Sequence, residues 1–267
     1  YTLPNRCAGA YVFNETLGKV ETLLADVTVL ATGGIGQVYL HTTNAPNAVG
    51  SGLTMAHRAG VRIENAEFVQ FHPTAFYQRH APRVLITEAM RGEGARLVNS
   101  RGEAFMGKYD RRGDLAPRDI VARSIVEEML RLDDECVYLD AAPYVHQPLD
   151  QRFPTIYAHC LEAGLNIMEE PIPVVPAAHY FCGGILTDLM GRTSLSALYA
   201  VGECACTGVH GANRLASVSL LEAVLWGSAC ARDITRRLKN KRSLAPKKWH
   251  TATPDWKSPG QNHNDDP

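Results

Sequence analysis

Apolar residues occur along this chain in short bursts, and the period of each burst predicts an element. Residues 8–13 and 27–30 are apolar segments separated by a polar turn at Leu17-Gly18-Lys19. The second continues as VTVLATGG, a β-branched run stopped by Gly33 and Gly34, which is the pattern of a parallel strand buried on both faces. In residues 45–62 the spacing of Leu53, Ala56 and Ala59 predicts a helix ending at Gly60. FVQFHPT (68–74) predicts a strand terminated by Pro73. A helix opens at LAPRD (115–119), with proline in its first turn and an apolar stripe of Val121, Ile125, Met129 and Leu132. Residues 150–170 predict another helix, ended by Pro171 and Pro173. VVPAAHYFCGG (174–184) is strand-like and closes on two glycines. LYAV (198–201) is a short buried strand running into Gly202-Glu203. A glycine-rich loop then leads to a helix that starts around Ser217 to Ser219 and reaches Leu238. Ser219 and Glu222 have the capping-box spacing.

The 267 residues, with 45% hydrophobic content, can bury a sizeable core in one large or two modest domains. Neither a basic excess, the net charge being −1, nor interleaved aromatics points to a nucleic-acid partner, and none is expected. No apolar run reaches the roughly 18 residues that span a membrane. The opening Tyr-Thr-Leu-Pro-Asn-Arg-Cys has neither initiator methionine nor signal pattern, so a fragment is expected. Seven scattered cysteines form no paired CxxC grid, which argues against a structural metal site and fits a reducing, cytoplasmic compartment. Cys204-x-Cys206 reads as packing thiols. Residues 241–267 hold Lys, Pro, Asn and Asp with little apolar content, a linker or disordered tail.

Candidate chemistry collects where apolar elements meet small residues. His72, His179, His210, Arg118 and Arg214 all lie in such places. Grouped cations would suit a dicarboxylate, because guanidinium forks bind carboxylates bidentately; each alone could equally be a structural histidine or a surface ion pair. TEAMRGEGA (87–95) alternates small residues with charges, which fits either a solvated turn or a polar wall over a ligand. Arg118 lies near a helix start, where its charge opposes the dipole, so it requires an acidic neighbour such as Asp119 or a functional reason.

Seven motifs carry a resemblance: VLATGG (29–34), FVQFHPT (68–74), TEAMRGEGA (87–95), LAPRDIVAR (115–123), PAAHYFCGGI (176–185), LYAVGE (198–203) and VHGANRLASVSLLE (209–222). Spread over nearly all of residues 6–235, they resemble the flavoprotein family of succinate dehydrogenases and fumarate reductases. PAAHY and NRLAS look like its L-aspartate-oxidising members. The resemblance implies an α/β fold, part of a Rossmann-like FAD-binding domain interrupted by an α+β substrate-capping domain. It divides the chain into a first FAD-binding segment (1–63), the cap (64–180), a returning FAD-binding segment (181–240) and the tail (241–267). It implies FAD as the cofactor and no metal, with Gly33 and Gly34 near the diphosphate and Glu203, Ser219 and Leu220 as further contacts. His72, Thr87, Glu88, His179 and Arg214 match substrate-site positions, Arg118 matches the proton donor or acceptor, and His210 becomes a structural loop residue.

The reaction so implied is FAD-dependent oxidation of L-aspartate to iminoaspartate, with oxygen or fumarate as electron acceptor. That is the first step of de novo NAD (quinolinate) biosynthesis, with quinolinate synthase as a pathway partner. A succinate dehydrogenase or fumarate reductase flavoprotein subunit is the alternative, and a non-catalytic truncated remnant is a third. The sequence departs from the family pattern in five places, two of them the lack of the family's acidic substrate-orienting residue and of its helical C-terminal domain. It has no Gly-x-Gly-x-x-Gly, Ser51 stands where an Asp is usual, and Val218 stands where Asn usually precedes Ser219. Weak FAD binding by the chain alone, or none, is therefore expected.

Overall fold

The computed structural model describes residues 2, 3, 6–79, 81–239 and 256. They form two compact units, one from the described residues of 1–33, 50–68 and 182–267, the other from 34–49 and 69–181. Residues 34–49 thus belong with the second unit, although the motif pattern assigned everything before residue 64 to the first. The tail expected over 241–267 lies outside the described residues except for Trp256, which stands edge-on to Tyr11 with ring centroids 5.3 Å apart.

The first unit opens with β1 (Thr2–Leu3) antiparallel to β2 (Arg6–Cys7), followed by a hairpin of β3 (Gly9–Asn14) and β4 (Lys19–Leu24). The VTVL run is β5 (Thr28–Leu30), and the Leu53/Ala56/Ala59 stripe lies on or just after α1 (Ser51–Arg58). The segment ends at β6 (Ile63–Glu64). Strand β4 was not visible in the sequence, because KVETLL alternates weakly and stays partly exposed on both faces.

The second unit contains β7 (Val69–Phe76), β8 (Val84–Leu85), α2 (Glu88–Gly92), β9 (Arg96–Val98), α3 (Met106–Tyr109) and α4 (Arg118–Leu132). It is completed by β10 (Val137–Asp140), α5 (Leu149–Arg152), α6 (Pro154–Glu162) and β11 (Ile172–Phe181). Its antiparallel sheet has the order β8-β7-β11-β10-β9. Val121 and Ile125 of α4 are fully buried in one cluster with Phe76, Leu97, Leu139 and Val174. Each such side chain contributes about 1.5–3 kcal/mol of hydrophobic stabilisation.

Two sequence expectations fail here for local reasons. Strand β7 continues through Pro73, because the register steps from His72↔Ala177 to Ala75↔Val175. Pro73 and Thr74 therefore oppose a single residue, and a bulge tolerates a missing ladder N–H. The helix expected over 150–170 is two short helices. Pro154 forces Phe153 out of helical geometry (φ −131°, ψ 56°), and Gly164 (φ 85°) ends the second helix in the left-handed region.

On returning to the first unit the chain forms β12 (Gly184–Leu186), β13 (Leu198–Ala200), β14 (Ala205–Cys206) and α7 (Val218–Lys239). Strand β13 lies parallel to β5, while β12 lies between β14 and β6. The predicted capping box is replaced by longer-range contacts. Glu222 accepts hydrogen bonds from Thr207 Oγ1 and pairs with His210 Nε2 at 2.7 Å, while Ser219 Oγ accepts from Arg214 Nη1 at 3.2 Å. His210 is thereby a structural residue of the loop. Cys204 and Cys206 are buried free thiols, as packing residues should be.

Asp233 anchors α7. Its carboxylate, with no exposed side-chain surface, accepts from Arg192 Nε at 2.7 Å, Tyr199 Oη at 2.7 Å and Arg236 Nη2 at 2.8 Å, and Arg237 Nε lies 3.1 Å away. The Arg192 hydrogen bond, ahead of those from Tyr199 and Arg236, holds the carboxyl well below its usual range. Asp233→Asn is expected to destabilise the protein by about 2–3 kcal/mol, since it breaks a buried pair whose guanidiniums partly regain water. Urea denaturation checks this; a change within about 0.5 kcal/mol, the range of ordinary surface substitutions, would show that the cluster contributes no stability.

Candidate active site

In the second unit, β7 and β11 bring two sequence-distant histidines together. Gln70 and His72 alternate onto one face of β7, and both are buried. On β11 the register passes from Ala178↔Phe71 directly to Tyr180↔Gln70. His179 is the extra residue of this bulge, and a bulge re-aims the side chain it carries. The two imidazoles meet edge to face, with ring centroids 5.3 Å apart and planes at 68°.

His72 is 1% exposed, and its Nδ1 accepts the Thr74 amide N–H at 3.2 Å. The neutral ring therefore carries its proton on Nε2. That nitrogen is buried and has no hydrogen-bond partner among the described residues. Burial, and after it the charges of Arg118, His179 and Arg91, push the His72 pKa down to about 2. His72 is a neutral donor across the physiological range.

Arg118 opens α4 as the sequence predicts, but its acidic partner is Glu88 rather than Asp119. Its Nε and Nη2 both lie 2.8 Å from Glu88 Oε2, and its Nη1 donates to Gln70 Oε1 at 3.1 Å. Asp119 instead pairs with Arg123 one turn on. Glu88 stands at the start of α2, where Thr87 Oγ1 accepts the Ala89 amide N–H at 3.3 Å and caps the helix. Thr87, matched to the substrate by resemblance, therefore has a cap role here. Arg91, with no exposed side-chain surface, lies 3.7 Å from Glu88 Oε1 and donates to the Asp114 carbonyl; burial pushes its guanidinium below the usual value.

Gln70, Arg91, Thr43 and Asn44 were not singled out from the sequence. Gln70 sits two residues before His72, and Arg91 three after Glu88, spacings that place each pair on one side of its strand or helix. Thr43 Oγ1 lies 2.9 Å from His179 Nδ1, and Asn44 Nδ2 donates to the His179 carbonyl at 3.1 Å. These contacts span more than 130 residues and have no local signature. A Cβ at Gly36 would collide with the Asn44 side chain, so glycine leaves the room this turn needs.

The first unit holds the remaining candidates except Gly34, the first residue of the second unit. Parallel β5 and β13 deliver Gly33-Gly34 and Gly202-Glu203 beyond their carboxyl ends, with Val201 N donating to Leu30 O at 2.9 Å. A Cβ on Gly33 (φ 73°) or Gly202 (φ 69°) would meet nothing within 4 Å, so open space lies beside this backbone. Arg214 is buried, and Ser219 and Leu220 open the 22-residue α7, with Leu220 78% exposed. First-turn amides of such a helix lack intrahelical partners and carry partial positive charge. Open sheets bind nucleotides beyond the carboxyl ends of their parallel strands, and the residues present fit that mode.

This arrangement defines a nucleotide-binding α/β protein. The FAD binding domain family matches residues 2–220, and the chain belongs to it. It is 56% identical to L-aspartate oxidase 1 of Ralstonia nicotianae, over 86% of this chain and 43% of that protein. It is 53% identical to L-aspartate oxidase of Pseudomonas aeruginosa, over 87% of this chain and 43% of that protein. Among solved structures, an E. coli quinol fumarate reductase chain superposes with a TM-score of 0.77 at 34% identity, covering 88% of this chain and 43% of that one. A Mycobacterium smegmatis Sdh1 chain gives 0.72 at 33%, covering 93% and 43%. The chain spans less than half the length of these relatives. No helix among the described residues is long and apolar enough to cross a membrane.

Proposed function

We propose that the chain is part of an L-aspartate oxidase, converting L-aspartate to iminoaspartate in the cytoplasm, with oxygen or fumarate accepting the electrons. The observation that carries this reading is the pairing of buried His72 with half-buried His179 beside Arg118, a donor-rich, cationic setting suited to a dicarboxylate. Bound FAD would supply the two-electron acceptor for the hydride leaving Cα; Gly33, Gly34, Glu203, Ser219 and Leu220 are the candidates to hold it. His72 and His179 donate to substrate carboxylate, and positioning of this kind removes several kcal/mol from a barrier. In the first unit Arg214 is the carboxylate-binding candidate. Arg118 moves the proton needed at carbon when fumarate is reduced. An arginine with a pKa above about 12 needs help to do so, and Glu88, paired with it and 40% exposed, connects it to solvent. Iminoaspartate passes on towards quinolinate, with quinolinate synthase as the downstream partner.

The similarity to fumarate reductase structures favours a succinate dehydrogenase or fumarate reductase flavoprotein subunit as the second reading. With FAD supplied, the protein is expected to release hydrogen peroxide on L-aspartate. Dye reduction on succinate without peroxide on L-aspartate selects the second reading, and neither activity together with no FAD retention selects a non-catalytic chain.

A further inference from the structure

The hydrogen bonds around His179 determine which of its ring nitrogens carries the proton. The Ala178 carbonyl accepts the Thr43 amide N–H at 3.0 Å and the Thr42 hydroxyl at 3.1 Å. Thr42 Oγ1 is itself the acceptor for the Asn44 amide N–H at 3.1 Å, which leaves its hydrogen for that carbonyl. A carbonyl oxygen has two lone pairs, and both are then engaged. Thr43 Oγ1 lies 3.4 Å from the same saturated oxygen but 2.9 Å from His179 Nδ1. Its hydrogen therefore goes to Nδ1, and a neutral imidazole that accepts at Nδ1 carries its proton on Nε2.

His72 reaches the same tautomer by a different route, through the Thr74 amide. Two adjacent rings, each fixed from behind by the chain, then offer N–H donors and no acceptor. Such a pair suits a carboxylate and disfavours an ammonium, which itself needs acceptors.

We propose that Thr43, with Thr42 occupying the Ala178 carbonyl, is a positioning residue that fixes His179 as the Nε2–H tautomer, so that His72 and His179 present two neutral donors to a substrate carboxylate rather than to its amine. The identity of the ligand rests on the function proposed above; the tautomer does not.

The test is a long-range proton–nitrogen correlation spectrum of protein labelled with ¹⁵N-histidine, recorded above histidine's ordinary pKa of about 6.5. His179→Gln identifies the His179 signals by their loss. Wild type is expected to show a protonated Nε2 and a bare Nδ1 at His179. Thr43→Val should shift the ring towards a tautomer mixture, and Thr43→Ser should restore the wild-type pattern. A protonated Nδ1 in wild type or in Thr43→Ser, or a Thr43→Val spectrum unchanged from wild type, overturns the proposal. The wild-type and serine spectra decide it even where the valine variant does not fold. Succinate, a dicarboxylate without an amine, should then shift both Nε2–H signals. If it moves neither while the tautomer is as expected, the carboxylate reading fails and the positioning role of Thr43 stands.

Discussion

Between pH 6.5 and about 4.5 the protein is expected to lose stability at up to about 1.4 kcal/mol per pH unit through His72, and His72→Gln is expected to remove that component. His72 is held neutral in the folded state, with its pKa pushed down to about 2, chiefly by burial. The unfolded chain takes up a proton below 6.5 that the folded chain refuses. The stability due to this group is therefore fully present above 6.5 and is lost as pH falls. Below about 4.5 a second loss begins. The Arg131 hydrogen bond, ahead of those from Asn99 and Tyr109, holds Glu128 down to about 2, so its contribution also disappears on acidification. His41, lowered first by burial and then by Arg83, adds to the slope in the upper window. The informative quantity is thus the difference between wild type and His72→Gln. Glutamine keeps an N–H donor and does not titrate. Urea denaturation of both from about pH 7 to about pH 4.5 measures it; parallel curves would mean that His72 is not the buried neutral donor that its surroundings require.

The same histidine shows how much of the site the sequence could carry. Periodicity located α1, α4, α7 and the strands holding His72 and His179, because apolar stripes and β-branched runs are local properties of the chain. It also set Arg118 at a helix start, where its charge demanded an acidic neighbour. It could not choose that neighbour: Asp119 is adjacent, whereas Glu88 is thirty residues away and reaches Arg118 only through the packing of α2 against the turn before α4. The bulge that makes His179 the extra residue of β11 is equally silent, since it depends on the register between β7 and β11 rather than on either strand alone. Pro73 illustrates the same point in reverse. As a local rule it ends a strand, yet the bulge in which it sits removes the hydrogen bond it would have broken. At α7 the capping-box spacing was present, but Thr207 and His210 engage Glu222 and Arg214 engages Ser219. Local chemistry gave way to partners that only the fold supplies.

Arg118→Gln is expected to lower fumarate reduction by about 10²–10⁴-fold in the FAD-loaded protein, the usual range for loss of a positioned proton donor, and to lower L-aspartate oxidation less. The asymmetry follows from where the protons go. Reducing fumarate adds a hydride to one alkene carbon and a proton to the other, and carbon must receive that proton from a positioned group. Oxidising L-aspartate removes a hydride from Cα and a proton from nitrogen, which exchanges readily with water. Arg118 is held at three points: two guanidinium nitrogens on Glu88 Oε2 and a third on Gln70 Oε1. Arg118→Lys keeps the charge but not the rigid planar fork that holds Glu88 and Gln70 together; it should fall between wild type and glutamine. Equal losses in both directions would assign Arg118 to binding the dicarboxylate, whereas a loss confined to fumarate reduction assigns it the proton. Succinate affinity separates the two further, since a pure proton donor leaves it nearly unchanged while a carboxylate clamp weakens it in step with turnover.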